Sequence, residues 1–223
     1  MKKIAAIAAL ALLASTPALA QNKPGVTYEV TITNLTSGQT FTPILAATHR
    51  SSISLFELGQ PASDQIAELA ESGSTAGLEA LLASVPNLVL DTASTGPALP
   101  DSGGLLGPGD SVTIEIVARG QFSRLSFAGM LIPSNDSFVA LNSMQLPRFN
   151  RTYTAIAYDA GSEINDELCA NIPGPFCKGE GSSAEDGEGF VHVSSGVHGI
   201  ADLDAAVFDW RNPVALIEVR RKR

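Results

Sequence analysis

Residues 28–35 read YEVTITNL, and the fold turns on how this stretch is extended. Tyr28, Val30 and Ile32 fall on one side of an extended chain and Glu29, Thr31 and Thr33 on the other, because successive side chains of a strand point to opposite faces. Such alternation marks a strand with one face in a core and one in water. Residues 111–117, SVTIEIV, repeat it with Val112, Ile114 and Ile116 inward, directly after the turn cluster Gly107, Pro108, Gly109 and Asp110. The spacing predicts further strands over residues 40–46, 87–90, 125–132, 152–157, 189–193 and 214–219, separated by Gly, Pro, Asn and Asp clusters. Short strands punctuated in this way predict an all-β sandwich or barrel.

One helical interlude interrupts the strands. Residues 63–71 follow Pro61 with Ser63 as N-cap and end at Gly73, and residues 75–83 offer a second short helix with Leu78, Leu81 and Leu82 on one side. They read as an insertion between strands that lies against an end or edge of the sheets. Residues 178–188, KGEGSSAEDGE, lack apolar periodicity and read as an acidic loop.

Residues 1–20, MKKIAAIAALALLASTPALA, pair a positive start (Lys2, Lys3) with an apolar run from Ile4 to Leu13 and a small-x-small ending, Ala18-Leu19-Ala20. That is the pattern of a secretory signal peptide. The run is too short for a bilayer-spanning helix, which needs about 20 apolar residues. No cysteine follows the cleavage site, which argues against a lipoprotein anchor. The mature chain, residues 21–223, reads as one domain, periplasmic or secreted, with no membrane span and length enough for a hydrophobic core.

The net charge is −9, and removal of Lys2 and Lys3 makes it more negative by two. An acidic exported chain is poorly matched to nucleic acid or anionic membranes and well matched to cations. Cys169 and Cys177, the only cysteines, flank a segment whose Pro173, Gly174 and Pro175 can bend the chain back. In an oxidising compartment they are expected to form a disulfide.

Two stretches concentrate carboxylates and turn residues beside apolar runs: residues 132–141, IPSNDSFVAL, and residues 157–167, AYDAGSEINDE. Acidic turns between strands are common, because Asp and Asn side chains bond the local backbone. Here, however, loops at one end of a sandwich converge, so Asp136, Asp159 and Glu163 can meet around one point. Calcium suits such a group, since it takes 6–8 oxygens from carboxylates, carbonyls and water. Gly161 lets the chain turn closely enough for carbonyls to contribute.

At these residues the sequence resembles the spondin N-terminal domain family, known from F-spondin and its relatives. PSNDSFVAL followed by YDAGSE is similar to that family's paired motif, a Pro-Ser-Pro-Asp-Trp-like segment before a Trp-Asp-Ala-Gly-Thr-Asp-like one. The resemblance takes in YEVTITNLT, the surroundings of Thr48, His49 and Arg50, and the final VALIEVRR, and so covers most of the mature chain. It implies a C2-like antiparallel β-sandwich with calcium held at one end by Asp136, Asp159 and Glu163. Glu163 stands where the animal proteins have Asp, which lengthens the arm by one methylene and leaves Asp166 or backbone carbonyls as alternative completions of the shell. Asn135 replaces a Pro, and Ser137 and Tyr158 replace Trp residues, so attachment to animal matrix does not transfer. Residues 189–215, GFVHVSSGVHGIADLDAAVFDWRNPVA, read like a bacterial variant of the domain.

Enzyme readings rest on other residues. Gly109, Asp110 and Ser111 resemble the start of an esterase GDS motif, but they follow a turn and lead into an alternating strand, where a nucleophile would open towards a helix. His192 and His198 offer a metal or base site with Asp202 or Asp204, or with Ser194 or Ser195, although their spacing is not one of zinc ligation. His49 lacks a nucleophile signature beside it. Asp209, Trp210, Arg211 and Asn212 read as a Trp packed over an Arg that anchors the last strand. The leading expectation is a calcium-binding module with a binding or structural role and an extracellular or envelope protein or glycan as partner. The alternatives are an exported hydrolase or metalloenzyme built on His192 and His198, and a carbohydrate or surface-adhesion module.

Overall fold

The computed structural model describes residues 25–181, 183 and 187–222. The signal peptide read over residues 1–20 and parts of the 178–188 loop lie outside the described residues. Ten strands form: β1 (Val26–Asn34), β2 (Thr40–Phe41), β3 (Leu45–His49), β4 (Val89–Ser94), β5 (Ser111–Ala118), β6 (Arg124–Ile132), β7 (Ser137–Gln145), β8 (Arg151–Asp159), β9 (His192–Val193) and β10 (Ala215–Arg221). The pairing order is β4-β3-β6-β7-β8-β10-β1-β5, with β2 on β6 and β9 on β8, and every pair is antiparallel. The chain is an all-β antiparallel sandwich, as the alternation predicts.

Strand β8 belongs to both layers. Its residues 151–155 pair with β10 and its residues 156–159 with β7, so the ladder turns the corner within one strand. The two ends of the path then face each other. The Thr48 hydroxyl donates to the Val117 carbonyl at 2.6 Å, and the Val117 N–H donates to the Asp91 carboxylate at 2.8 Å. Between the layers lies the main core, with Val30, Ile32, Ile114, Ile116, Phe127, Val139 and Ile217.

The helical insertion sits only partly where the sequence suggests. α1 (Asp64–Ser72) covers the outer face of the β6-β7 part of the layer, while α2 (Ala76–Ser84) packs on α1 and against β4, the strand at the edge. Leu45, Ala47, Ala128, Phe138 and Ala140 make that face apolar, and Ile66, Leu69, Leu78 and Leu82 pack on it. Burial of both faces is what the amphipathic helices supply. The α1 ends agree with the sequence: Ser63 Oγ accepts from the Ile66 N–H at 3.3 Å, and Gly73 closes the helix with φ 73°.

Other corrections follow from local chemistry. The strand expected over 40–46 splits into β2 and β3 around Pro43, which has no N–H to give a ladder. The strand expected over 189–193 is only two residues long, and β7 is a strand the alternation did not reveal. The short helices α3 (Gly174–Cys177) and α4 (Ala205–Phe208) were not expected either. Cys169 and Cys177 form the expected disulfide. No helix among the described residues is long and apolar enough to cross a membrane.

Candidate metal centre at one end of the sandwich

The site begins with a tight turn. Residues 133–136 connect β6 to β7, and Ser134 closes the connection by donating its hydroxyl to the Leu131 carbonyl at 2.7 Å and accepting from the Ser137 N–H at 3.2 Å. Asp136 is thereby the last residue before β7. Ser137 is paired opposite Asp159, the last residue of β8, and the Ala160 N–H donates to the Asp136 carbonyl at 3.1 Å. Hairpin register alone brings the two aspartates side by side.

Gly161 then turns the chain at φ 63°. A Cβ there would lie 2.4 Å from the Phe190 carbonyl oxygen, so only glycine permits this approach. The approach carries in a segment from far along the chain. β9 pairs with β8 so that His192 is opposite Asp159, and Glu188 lies nearby.

Each carboxylate has a defined environment. Asp136 Oδ2 accepts from the Ser162 N–H (2.8 Å), the Ser162 hydroxyl (3.3 Å) and the Glu163 N–H (3.1 Å). Asp159 Oδ1 accepts from the Gly161 N–H at 2.8 Å, and Oδ2 from the Asn165 amide at 2.9 Å. Glu163 Oε1 accepts from the Ser183 N–H. Asp136 Oδ1 and Glu163 Oε2 are buried without a hydrogen-bond partner among the described residues. Relative exposure of Asp136, Asp159 and Glu163 is 0, 1 and 1%. Lone buried carboxylate oxygens are costly, and each calls for a proton or a cation.

The electrostatics say the same. Burial, reinforced by the Asp159 charge, pushes Asp136 up to about 7 against the pull of the Glu163 and Ser162 N–H donors. Burial also takes Glu163 up to about 7, with the Glu71 and Asp166 charges adding to it and Ser183 opposing it. Asp159 is raised by burial and relieved by Asn165 and His192. For His192, burial opposes the charge, but the Val193 carbonyl, Asp159 and Glu188 raise it overall. Its Nε2 lies 3.3 Å from Asp159 Oδ1 and 3.6 Å from Glu188 Oε2, without hydrogen-bond alignment.

Asp136 and Asp159 are brought together as neighbours, and Glu163 joins them through its main-chain N–H. The Glu163 carboxylate faces Ser183 and Glu71. Among the described residues, the ligand-type side chains whose atoms all lie within 4.8 Å of one another are Asp159, Glu188 and His192. Glu188 and His192 were not read from sequence as part of this end. Asp166, the alternative completion, is already engaged: its carboxylate accepts from the Asn135 amide at 3.0 Å, the Leu168 N–H at 2.9 Å and the Asn171 amide at 2.5 Å.

The residues of the enzyme readings are dispersed. His198 is exposed and lines a separate depression with Ser194, Ser195, Asp209 and Trp210. Asp202 accepts from the Cys169 N–H at 2.8 Å, and Asp204 caps α4 by accepting from the Ala206 N–H at 2.8 Å. Ser194 is hydrogen-bonded to Ser137 at 2.9 Å. Ser111 pairs with the Thr33 hydroxyl at 2.7 Å on an exposed sheet face, which makes the GDS stretch a turn into β5. Trp210 enters the core, while Arg211 pairs with Asp209.

His49 is a core histidine. Nδ1 is 2.7 Å from the Arg50 carbonyl, so it carries the proton; Nε2 is 2.7 Å from Ser126 Oγ. Ser126 accepts from the Ser143 N–H at 2.7 Å and gives its own proton to Nε2. The imidazole thus ties β3 to β6 at the β6–β7 bulge. Burial lowers its pKa.

The sequence model of the family described as Spondin_N matches residues 31–163, more than half of the chain. The match starts inside β1 and ends on Glu163, so it spans all three carboxylates. No curated protein matches the chain.

Proposed function

The chain belongs to the spondin N-terminal domain family, and from that membership we propose an exported calcium-binding β-sandwich module that acts by binding, not by catalysis. The observation that carries this reading is the orphaned, fully buried carboxylate oxygen Asp136 Oδ1 next to the buried Asp159, with a second orphaned oxygen, Glu163 Oε2, on the segment that follows β8. Residues that must hold acid groups out of water without a counter-charge fit a hard divalent cation. Asp136 and Asp159 would supply the core of its shell, with Glu163 and main-chain carbonyls completing it. A cation there ties the β6–β7 turn to the segment after β8 and stabilises one end of the sandwich for a protein or glycan partner.

The cluster of Asp159, Glu188 and His192 favours a second reading of the same end, a transition ion such as zinc, for which a histidine nitrogen is a better donor than for calcium. The family's modular character and the dispersal of His192, His198, Asp202 and Asp204 support a non-catalytic role. Elemental analysis of the purified mature protein, with calcium and zinc titrations followed by thermal melting, tests the proposal. Calcium is expected to raise the melting temperature of the wild type and not of Asp159→Ala. An unchanged wild-type melting curve in calcium would overturn the calcium reading, and stabilisation by zinc that depends on His192 would replace it.

A further inference from the structure

The end of the sandwich opposite the carboxylates carries the positive charge. Every described lysine or arginine except Lys178 and Arg211 lies where β3, β5, β7 and β10 finish and β6 and β8 begin. Arg119, Arg148 and Arg151 line one depression of about 670 Å³ there, together with Tyr28, Phe122 and Tyr153, and no Asp or Glu lines it. That size falls within the range of small-ligand sites, about 300–1,000 Å³. Among the described residues, none of these arginines has a carboxylate at ion-pair distance, in a chain with 23 acidic residues and a net charge of −9. Gathering like charges while acids are abundant elsewhere costs energy, and an anion from outside relieves it.

The geometry selects among anions. The Arg151 guanidinium stacks over the Tyr153 ring at 5.5 Å and Arg50 over Phe122 at 5.0 Å. Stacking covers the flat face of a guanidinium and leaves its N–H edges available, and the fork of donors matches a carboxylate bidentately. Tyr153 and Phe122 are half-buried, and Phe149, next to Arg148, is 84% exposed, the highest value among the large exposed apolar side chains. Aromatic rings beside forked cations suit a ligand with an apolar sugar face and a carboxylate edge. A concave, arginine-dominated site fits this better than it fits a flat lipid headgroup layer.

We infer that the basic end is a binding site for an acidic oligosaccharide carrying uronate carboxylates, independent of the cation site at the other end. Arg148 and Arg151 fork the carboxylate, Arg119 neutralises the next acidic group along the chain, and Phe149 packs against a sugar ring.

The test is titration of the mature protein with a fluorescent hyaluronan hexasaccharide, which bears a glucuronate in each disaccharide, against neutral maltohexaose and against vesicles containing anionic phospholipid. Hexasaccharide binding is expected in the wild type and in Asp159→Ala, with at least a tenfold loss in the double variant Arg148→Ala/Arg151→Ala and only partial recovery in Arg151→Lys. Arg211→Ala should bind like the wild type, and a matching thermal melt shows that the double variant is folded. The proposal fails if the wild type does not bind the hexasaccharide, if maltohexaose binds equally, or if the double variant keeps its affinity. Binding to vesicles but not to the hexasaccharide would assign the surface to lipid and overturn it as well. Calcium titration in the same samples reports the cation site separately.

Discussion

Replacing Asp136 by Asn tests the cation site with one atom. The amide keeps a carbonyl oxygen for the Ser162 and Glu163 N–H groups that now meet Oδ2. It removes the charge whose burial pushes this carboxyl from 3.8 to about 7. At ~1.4 kcal/mol per tenfold change in proton affinity, holding that carboxylate ionised costs the metal-free protein about 4 kcal/mol above pH 7. Burying the amide NH2 in its place returns part of this, about 1–3 kcal/mol. Metal-free Asp136→Asn is therefore expected to be about 2 kcal/mol more stable than wild type at pH 8, and to melt about 4–8 °C higher for a chain of this size.

Calcium is expected to reverse the order. A ligand at a hundred times its Kd stabilises the wild type by about 2.7 kcal/mol, and the variant has lost a shell oxygen and gains little. The sign with pH follows from the same group. Folded Asp136 keeps its proton to about pH 7, and the unfolded chain releases it near 3.8, so unfolding sheds a proton between those values. Stability of the metal-free wild type is thus greatest at the acid end of that window and falls as pH rises through it, with a shallower fall in Asp136→Asn, where Glu163, Asp159 and Glu71 remain as raised carboxyls. Scanning calorimetry in EDTA and in calcium from pH 5 to 8 reads both effects. A variant that melts below wild type in EDTA at pH 8 would refute the buried-charge argument, and equal calcium shifts in the two proteins would refute the ligand assignment.

The third ligand is separated by Glu163→Gln and Glu188→Gln: calorimetric calcium affinity should fall at least tenfold in the first and change little in the second, and the reverse result moves the ion towards His192. His49→Leu leaves the Arg50 carbonyl and the Ser126 hydroxyl without their imidazole partner, and urea unfolding should show a loss of about 2–3 kcal/mol. Because burial depresses His49, its contribution is complete above the unfolded pKa near 6.5 and declines as pH falls below it, a dependence the leucine variant should lack. Reduction, or Cys169→Ser with Cys177→Ser, opens a short loop of sequence separation 8 and should cost about 2–3 kcal/mol in the same urea experiment.

How much of the fold the sequence reveals depends on how many faces of a strand are buried. β1 and β5 keep one face outward, with Glu29, Thr31, Thr113 and Glu115 there, and their alternation is plain. β7 has Val139 in the main core and Phe138 and Ala140 under the helices, so SFVAL is apolar on both sides and its period of two disappears. The same double burial explains the insertion. Nothing in the α1 or α2 sequence says which apolar surface they cover, since that surface is assembled from β3 and the β6–β7 hairpin, which lie far apart in the chain. Signals carried by single local residues transferred intact: Ser63 caps α1, Gly73 ends it, and the two cysteines pair.

The candidate site divides along the same line. Asp136 and Asp159 are legible as a pair because loops at one end of a sandwich converge and because their two segments resemble the family's paired motif; the β7–β8 register that sets them side by side is not, since β7 itself shows no alternation. Glu188 and His192 are not legible, because what delivers them is the approach of Gly161 to Phe190, set by the absence of one Cβ and by a two-residue pairing of β9 with β8. Proximity of that kind has no periodicity to read. It also changes the chemistry on offer: a set of aspartate and glutamate oxygens alone selects a hard ion, and adding an imidazole nitrogen shifts the preference towards a borderline one. Whether this end favours a hard or a borderline ion therefore turns on the one contact that local sequence does not encode, and Gly161→Ala, which pushes Phe190 away and also strains the φ 63° turn whose N–H groups hold Asp136 and Asp159, should weaken the response to calcium and abolish any response to zinc.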